Sequence, residues 1–325
     1  MNVKHQKLTD KIQKLRSCKR SSARVYASNI SRIHREFLPN TTYNQDLKWL
    51  SKNSMSLLKK LAKVENLNTQ RNMLAAAIVA LDLTNNTDKP KYVAQIAKLN
   101  KLKQKQLESG EMTEKQLAKF MDWNQIVKLR RLLSRTVRLG RYYSRKSLTR
   151  GEFQTLQQNV VLHLYTLLPP VRNDWGAVRY LTEAEFDDLS EDQKTTSNNL
   201  VLSRGGYRVY WADYKTRKKH GVIMQVIPKQ LQTLLRKHVK YLRAHFESNH
   251  LLFTQKQTPL TRNGLTKFMQ RMFYKHFRKK ISTSALRSIF LTHKFNKKDL
   301  EEQRTIAKAM HHTPEVARDF YVKNK

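Results

Sequence analysis

The sequence is poor in cysteine, in glycine and in long apolar runs. Cys18 is its single cysteine, so no intrachain disulfide and no cysteine-based zinc site can form. None of its eight glycines has the spacing of a phosphate-binding GxxxxGK[ST] loop. No apolar run approaches the roughly 20 residues of a membrane span, and the N-terminus "MNVKHQKLTDKIQKLR" lacks the apolar stretch of a secretion signal. These absences predict a protein of a reducing intracellular compartment, neither secreted nor bound to a membrane.

Acidic residues are also scarce. The chain has 25 Asp and Glu against 64 Lys and Arg, a formal charge of +39 over 325 residues. Residues 1–150 carry 33 basic and 10 acidic residues, and the remainder carries 31 and 15, so the excess is spread along the chain. Such a field attracts polyanions, and we expect double-stranded DNA as the partner. The few acids are scattered, which argues against a two-metal nuclease, so we expect neither metal nor cofactor.

The first part of the chain has the apolar spacing of helices. "SSARVYASNISRIHREFL" and "TQRNMLAAAIVALDL" are typical amphipathic stretches, and "TEKQ" and "DWNQ" are typical helix starts. Residues 84–112 are polar and rich in lysine, which fits either a linker or a solvated helix. We therefore predict a helical DNA-binding domain over residues 1–145.

The pattern changes in the second part, which we predict to be a catalytic domain over residues 146–325. "NNLVLSRGGYRVYWADY" has two strand-like runs around a Gly-Gly pair, and "VIMQVIP" predicts a third strand. Amphipathic helices follow, among them "KQLQTLLRKHVKYLRAHF" and "STSALRSIFLTHKF". The expected fold class is mainly α with a small antiparallel β-sheet in the C-terminal domain.

Without clustered carboxylates, chemistry on a phosphodiester needs a protein nucleophile and cations that stabilise charge on phosphorus. Five candidates occur in order, in the segments "LLPPVRNDW", "YKT", "ALRSIF", "MHHTPEV" and "DFYVK": Arg172, Lys215, Arg287, His312 and Tyr321. Thr313 and Pro314 are typical of a helix start, which would place Tyr321 about two turns along a short helix that begins just after His312.

These segments resemble the tyrosine recombinases, or phage-type integrases, whose signature places the nucleophilic tyrosine nine residues after a histidine. "LLPPVR" resembles the first-arginine segment, "YKT" the catalytic-lysine segment and "ALRSIF" the segment of the second arginine. The helical first part is similar to the core-binding domain of that family. The match is closest in character to integrases of large DNA viruses and related mobile elements, which adds a viral factory to the cytoplasm and nucleus as expected compartments.

The resemblance implies a site-specific recombinase that joins DNA through a 3′-phosphotyrosine, without metal or ATP, as a tetramer on two duplexes. An accessory DNA-bending protein is a further expected partner. Tyr321 would be the nucleophile, Arg172, Arg287 and His312 would hold the phosphate, and Lys215 would protonate the leaving 5′ oxygen. Two alternatives stay open: a type IB topoisomerase, and a DNA-binding protein descended from a recombinase with a decayed site.

The chain departs from the family pattern at two positions. Ser284 stands where the family has a histidine before the second arginine, and Trp175 stands where it has an acid, which leaves Asp174 as the nearest acid. His311 competes with His312, and the family spacing favours His312. Lys218 and Lys219 compete with Lys215, which we favour because the pattern places it directly after a strand.

Overall fold

The computed structural model describes residues 3–40, 43, 47–84, 87–109, 111–295, 299 and 301–302. The chain divides into two compact units, Met1–Glu111 and Met112–Lys325. The described part is mainly helical with one small sheet, as the sequence predicts.

The described residues of the first unit form six helices: α1 (Val3–Arg16), α2 (Arg20–Phe37), α3 (Trp49–Lys52), α4 (Ser54–Ala62), α5 (Leu67–Leu83) and α6 (Lys89–Ser109). Apolar residues recur at helical spacing on α2, where Ala23, Ala27, Ile30 and Ile33 are fully buried. The lysine-rich stretch is a helix rather than a linker, because Tyr92 and Leu99 bury one face of α6 in this core.

The second unit contains the remaining helices. They are α7 (Glu114–Leu117), α8 (Trp123–Leu139), α9 (Arg150–Leu167), α10 (Glu183–Asp187), α11 (Glu191–Thr196), α12 (Arg217–His220), α13 (Lys229–His245), α14 (Arg262–Phe277) and α15 (Thr283–Lys294). Two 3-10 turns cover Tyr142–Ser144 and Asp174–Ala177.

The boundary between the units lies earlier than the predicted boundary after residue 145. The basic helix α8 was predicted correctly as an element, but its buried residues, such as Ile126 and Leu133, belong to the core of the second unit. It packs beside α9, and Ser134 of α8 hydrogen-bonds Asn159 of α9. Burial of that apolar face therefore assigns α8 to the second unit.

The sheet has four strands in the order β1 (Arg179–Thr182), β2 (Asn199–Ser203), β3 (Gly206–Trp211) and β4 (Ile223–Val226). The predicted hairpin is confirmed, with Ser203 paired to Gly206 and β4 added antiparallel to β3. The prediction of an antiparallel sheet is wrong in one respect, because β1 runs parallel to β2 and the sheet is mixed. The crossover between them consists of α10 and α11, and a connection of this length is what a parallel pair requires.

Candidate functional site

Arg172 lies in the segment that joins α9 to the 3-10 turn at Asp174–Ala177. Pro169 and Pro170 end α9, since proline cannot continue the backbone ladder. The Tyr165 hydroxyl on α9 then donates to the carbonyl oxygen of Arg172 at 2.5 Å. Tyr165 is fully buried, so this bond anchors the Arg172 backbone to the core while its side chain stays half-buried.

Arg287 lies in the second turn of α15. Ser282 caps that helix by accepting from the amide of Ala285 at 3.3 Å, and Leu286 and Ile289 bury its apolar face. Arg287 is half-buried, and Ser284, three residues earlier on the same face, is exposed. Ser284 thus lies beside Arg287 on the surface of α15.

The charges of Arg172 and Arg287 both act on one buried carboxyl group, that of Asp174. Burial raises the pKa of Asp174, and Arg262, Arg172 and Arg287 oppose that rise by stabilising the carboxylate. The charges of two predicted arginines that are far apart in sequence thus reach the same carboxyl group. Guanidinium groups in one region are suited to the oxygens of a phosphate.

Arg262 is the residue of this cluster that the sequence did not reveal. It begins α14 and reaches two carboxylates, Asp174 at 3.5 Å and Asp213 at 3.1 Å. Asp174 belongs to the turn after Arg172, and Asp213 lies two residues before Lys215, so Arg262 joins the two segments. In sequence Arg262 is one of 64 basic residues, and no motif distinguishes it.

Asn198 joins the same two segments through their backbones. Its amide nitrogen donates to the carbonyl oxygens of Asp174 at 3.3 Å and Asp213 at 3.0 Å. Its amide oxygen accepts from the backbone nitrogens of Ala212 at 3.0 Å and Asp213 at 2.8 Å. A buried side chain with both ends satisfied in this way fixes the position of the segments it connects.

Lys215 lies in the connection between β3 and β4 and is exposed. β3 ends at Trp211, so Lys215 does not follow the strand directly as predicted. The Tyr214 hydroxyl closes the connection by donating to the carbonyl oxygen of Gly221 at 2.8 Å. Lys218 and Lys219 lie in α12 and are also exposed. Among the described residues, no hydrogen bond or ion pair joins Lys215 to Arg172 or Arg287.

His311, His312 and Tyr321 lie outside the described residues. Within the described part, no group of three or more His, Cys, Asp and Glu side chains could hold a metal ion. No helix in that part is long and apolar enough to cross a membrane.

Comparison with protein-family models, with curated proteins and with solved structures finds no match to this chain. The site therefore rests on its own residues: Arg262 in contact with the buried Asp174, and Arg172 and Arg287, whose charges also act on that carboxyl group.

Proposed function

We propose that this protein is a DNA strand-transfer enzyme of the tyrosine recombinase type. The observation that carries the proposal is that the charges of Arg172 and Arg287 both act on the carboxyl group of Asp174. The two arginines come from segments that the resemblance to recombinases singles out, and they lie on different elements of one unit. A site of two guanidinium groups backed by a buried acid fits the negative charge that develops on a phosphate under attack.

In the proposed reaction, the Tyr321 oxygen attacks a DNA phosphorus, and a 3′-phosphotyrosine bond forms as the bond to the 5′ oxygen breaks. The phenol proton must leave during attack, since its ordinary pKa is near 10. Arg172, Arg287 and His312 hold the non-bridging oxygens, and Lys215 gives a proton to the departing 5′ oxygen. A 5′-hydroxyl from another strand then attacks the phosphotyrosine and regenerates Tyr321. The ester conserves the bond, so the cycle needs neither ATP nor metal.

The proposed partner is double-stranded DNA, with four copies of the chain on two duplexes and an accessory DNA-bending protein as a further component. The charge of +39 supports a polyanionic partner. The single cysteine supports a reducing intracellular compartment.

The test is the trapping of a covalent protein–DNA complex on nicked duplexes in EDTA, followed by denaturing gels. Wild-type protein is expected to give a slow-migrating band, and Tyr321→Phe is expected to give none while it still binds DNA. Arg172→Ala and Arg287→Ala should reduce the band at least about 100-fold, because each removes a charged donor to the transition state. A band that persists in Tyr321→Phe would contradict the assignment of the nucleophile.

Two alternatives remain for the same residues. A type IB topoisomerase would relax supercoiled plasmid of almost any sequence as a monomer, whereas a recombinase would exchange strands between two duplexes. A DNA-binding protein with a decayed site is favoured by the exposed Ser284 beside Arg287. Tight DNA binding without any covalent band on wild-type protein would support that alternative.

A further inference from the structure

A groove lies in the same unit, built from elements other than the Arg172 segment. Its volume is about 730 Å³, and it is enclosed by the C-terminal half of α8, the turn at Tyr142–Ser144, α9 and α13. Four exposed cations line it: Arg138, Arg141, Lys237 and Lys240. No Asp or Glu is among the described residues that line it. The volume falls in the range of small-molecule sites.

Like most basic residues of this chain, the four cations lack carboxylate partners among the described residues, and the groove brings them to one place. Nearby, Arg145 pairs with Glu152 at 2.6 Å and Arg243 pairs with Glu185 at 3.3 Å. In the part of the chain that the structure describes, none of the four groove cations forms an ion pair. The repulsion among these four charges is therefore offset either by solvent or by a bound anion of several charges.

The turn that carries Arg141 is built with strain. Arg141 has φ of 50° and ψ of 37°, a left-handed conformation that costs a residue with a side chain on the order of 1 kcal/mol. The glycine lies one position earlier, where a Cβ on Gly140 would come within 2.2 Å of the Tyr142 ring. Gly140 is thus needed for the close approach of Tyr142, and Arg141 takes the left-handed position beside the groove.

Tyr143, which also lines the groove, has a hydroxyl that is shielded from solvent and has no hydrogen-bond partner among the described residues. Burial raises the pKa of this phenol well above its usual value, so the group stays protonated and is a donor. Its ring is held edge-on against His238 and Tyr241. A buried donor without an acceptor is costly, so removal of this hydroxyl should not destabilise the protein.

We propose that this groove binds a chain of consecutive phosphate groups, held by Arg138, Arg141, Lys237 and Lys240. Two sources have this chemistry: the triphosphate of a free nucleotide, and the backbone of a DNA strand. The proposal does not depend on the strand-transfer reaction, since the groove shares no residue with the Arg172 cluster.

The experiment is calorimetric titration of the full-length protein with ATP, with inorganic tripolyphosphate and with a short DNA duplex. Arg138→Ala/Lys237→Ala removes one groove cation from α8 and one from α13. Arg135→Ala/Arg236→Ala removes the same charge from the same two helices, at exposed positions outside the groove. The groove pair should weaken binding at least about tenfold and the control pair less than about twofold.

Tyr143→Phe is a second control, which leaves the four cations in place. It removes only a hydroxyl that is shielded from solvent and unpartnered, so the thermal midpoint should stay the same or rise and affinity should change less than about twofold. If ATP and tripolyphosphate bind alike, the phosphates are the recognised group and the source is a free triphosphate. If only the duplex responds to the groove pair, the source is the DNA backbone. Equal losses in the two double variants would overturn the proposal.

Discussion

At the scale of single residues, Arg262 connects two segments of the candidate site, although no sequence motif distinguishes it. It bridges Asp174 and Asp213, and these acids belong to the segments of Arg172 and Lys215. Asp174 is buried, so its carboxylate depends on the cations around it, of which Arg262 acts on it most strongly. We infer that Arg262 is a positioning residue, which acts on the site through the two acids.

Removal of Arg262 should destabilise the fold in a pH-dependent way. The pKa of Asp174 is already raised in the folded protein. The stability that this group contributes is therefore present at pH values below its unfolded-state pKa and is lost as pH rises through its folded-state pKa. Without Arg262 the pKa of Asp174 rises further, and the free energy of unfolding that is lost at high pH becomes larger. Arg262→Ala should therefore cost about 2 kcal/mol near pH 8 and much less near pH 4, measured by urea unfolding.

The double variant Arg262→Ala/Asp174→Asn is the control for this mechanism. The neutral amide that Asp174→Asn introduces needs no cation, so the double variant should regain most of the stability lost near pH 8 and should show a flatter pH profile. A cost for Arg262→Ala that is the same at both pH values would show that packing, rather than charge, is what Arg262 supplies.

At the scale of elements, the site depends on a close approach between the 3-10 turn at Asp174–Ala177 and the start of α14. A Cβ on Gly176 would lie 2.7 Å from both the Thr261 oxygen and the Arg262 Cα. These are backbone atoms, which cannot rotate away as a flexible side chain can. Gly176→Ala should therefore destabilise the protein by about 1–3 kcal/mol, as seen for overpacked sites, and should displace Arg262.

Gly151→Ala is the matched control, because a Cβ at Gly151 in α9 meets nothing within 4 Å. That change should be neutral or stabilising by up to about 1 kcal/mol, since alanine is the better helix former. Both substitutions restrict the unfolded chain equally, so once the helix propensity gained at Gly151 is subtracted, the difference in urea midpoint reports the contact. Equal midpoints for the two variants would mean that the turn and α14 are not packed as closely as described.

Short sequence patterns predicted individual helices and strands well, but they did not predict which elements pack or pair with one another. The helix starts at Thr113 and Asp122 and the Gly205-Gly206 hairpin follow from short patterns, and all three are confirmed. β1 was missed, because four residues carry little periodicity and its partner β2 lies beyond a crossover. The capping boxes of α10 and α11, at Thr182 and Ser190, were readable signals of that crossover.

The candidate site also has one part that could be predicted from the sequence and another that depends on packing between distant segments. Arg172 and Arg287 could be singled out from segment order, whereas their approach to Asp174 is a consequence of nonlocal packing. Arg262 could not be singled out, because its role arises only where α14 meets two other segments. The assignment of α8 to the second unit has the same cause, since its apolar face is matched by residues distant in sequence.

At the scale of the whole molecule, the charge of +39 makes a prediction that holds for every sequence of DNA. Contacts between Lys or Arg and phosphates release counterions, so the logarithm of the association constant falls linearly with the logarithm of salt concentration. With six to ten phosphate contacts, affinity for a duplex should fall about 10³- to 10⁵-fold between roughly 50 and 200 mM salt. Fluorescence anisotropy on two unrelated duplexes should give the same slope, because phosphate contacts carry no sequence information.

The groove pair Arg138→Ala/Lys237→Ala should reduce that slope only if DNA occupies the groove, whereas Tyr321→Phe should leave it unchanged because it alters no charge. A slope near zero would mean that the positive field of the chain is not what binds DNA, and that its excess of 64 basic residues serves another polyanion.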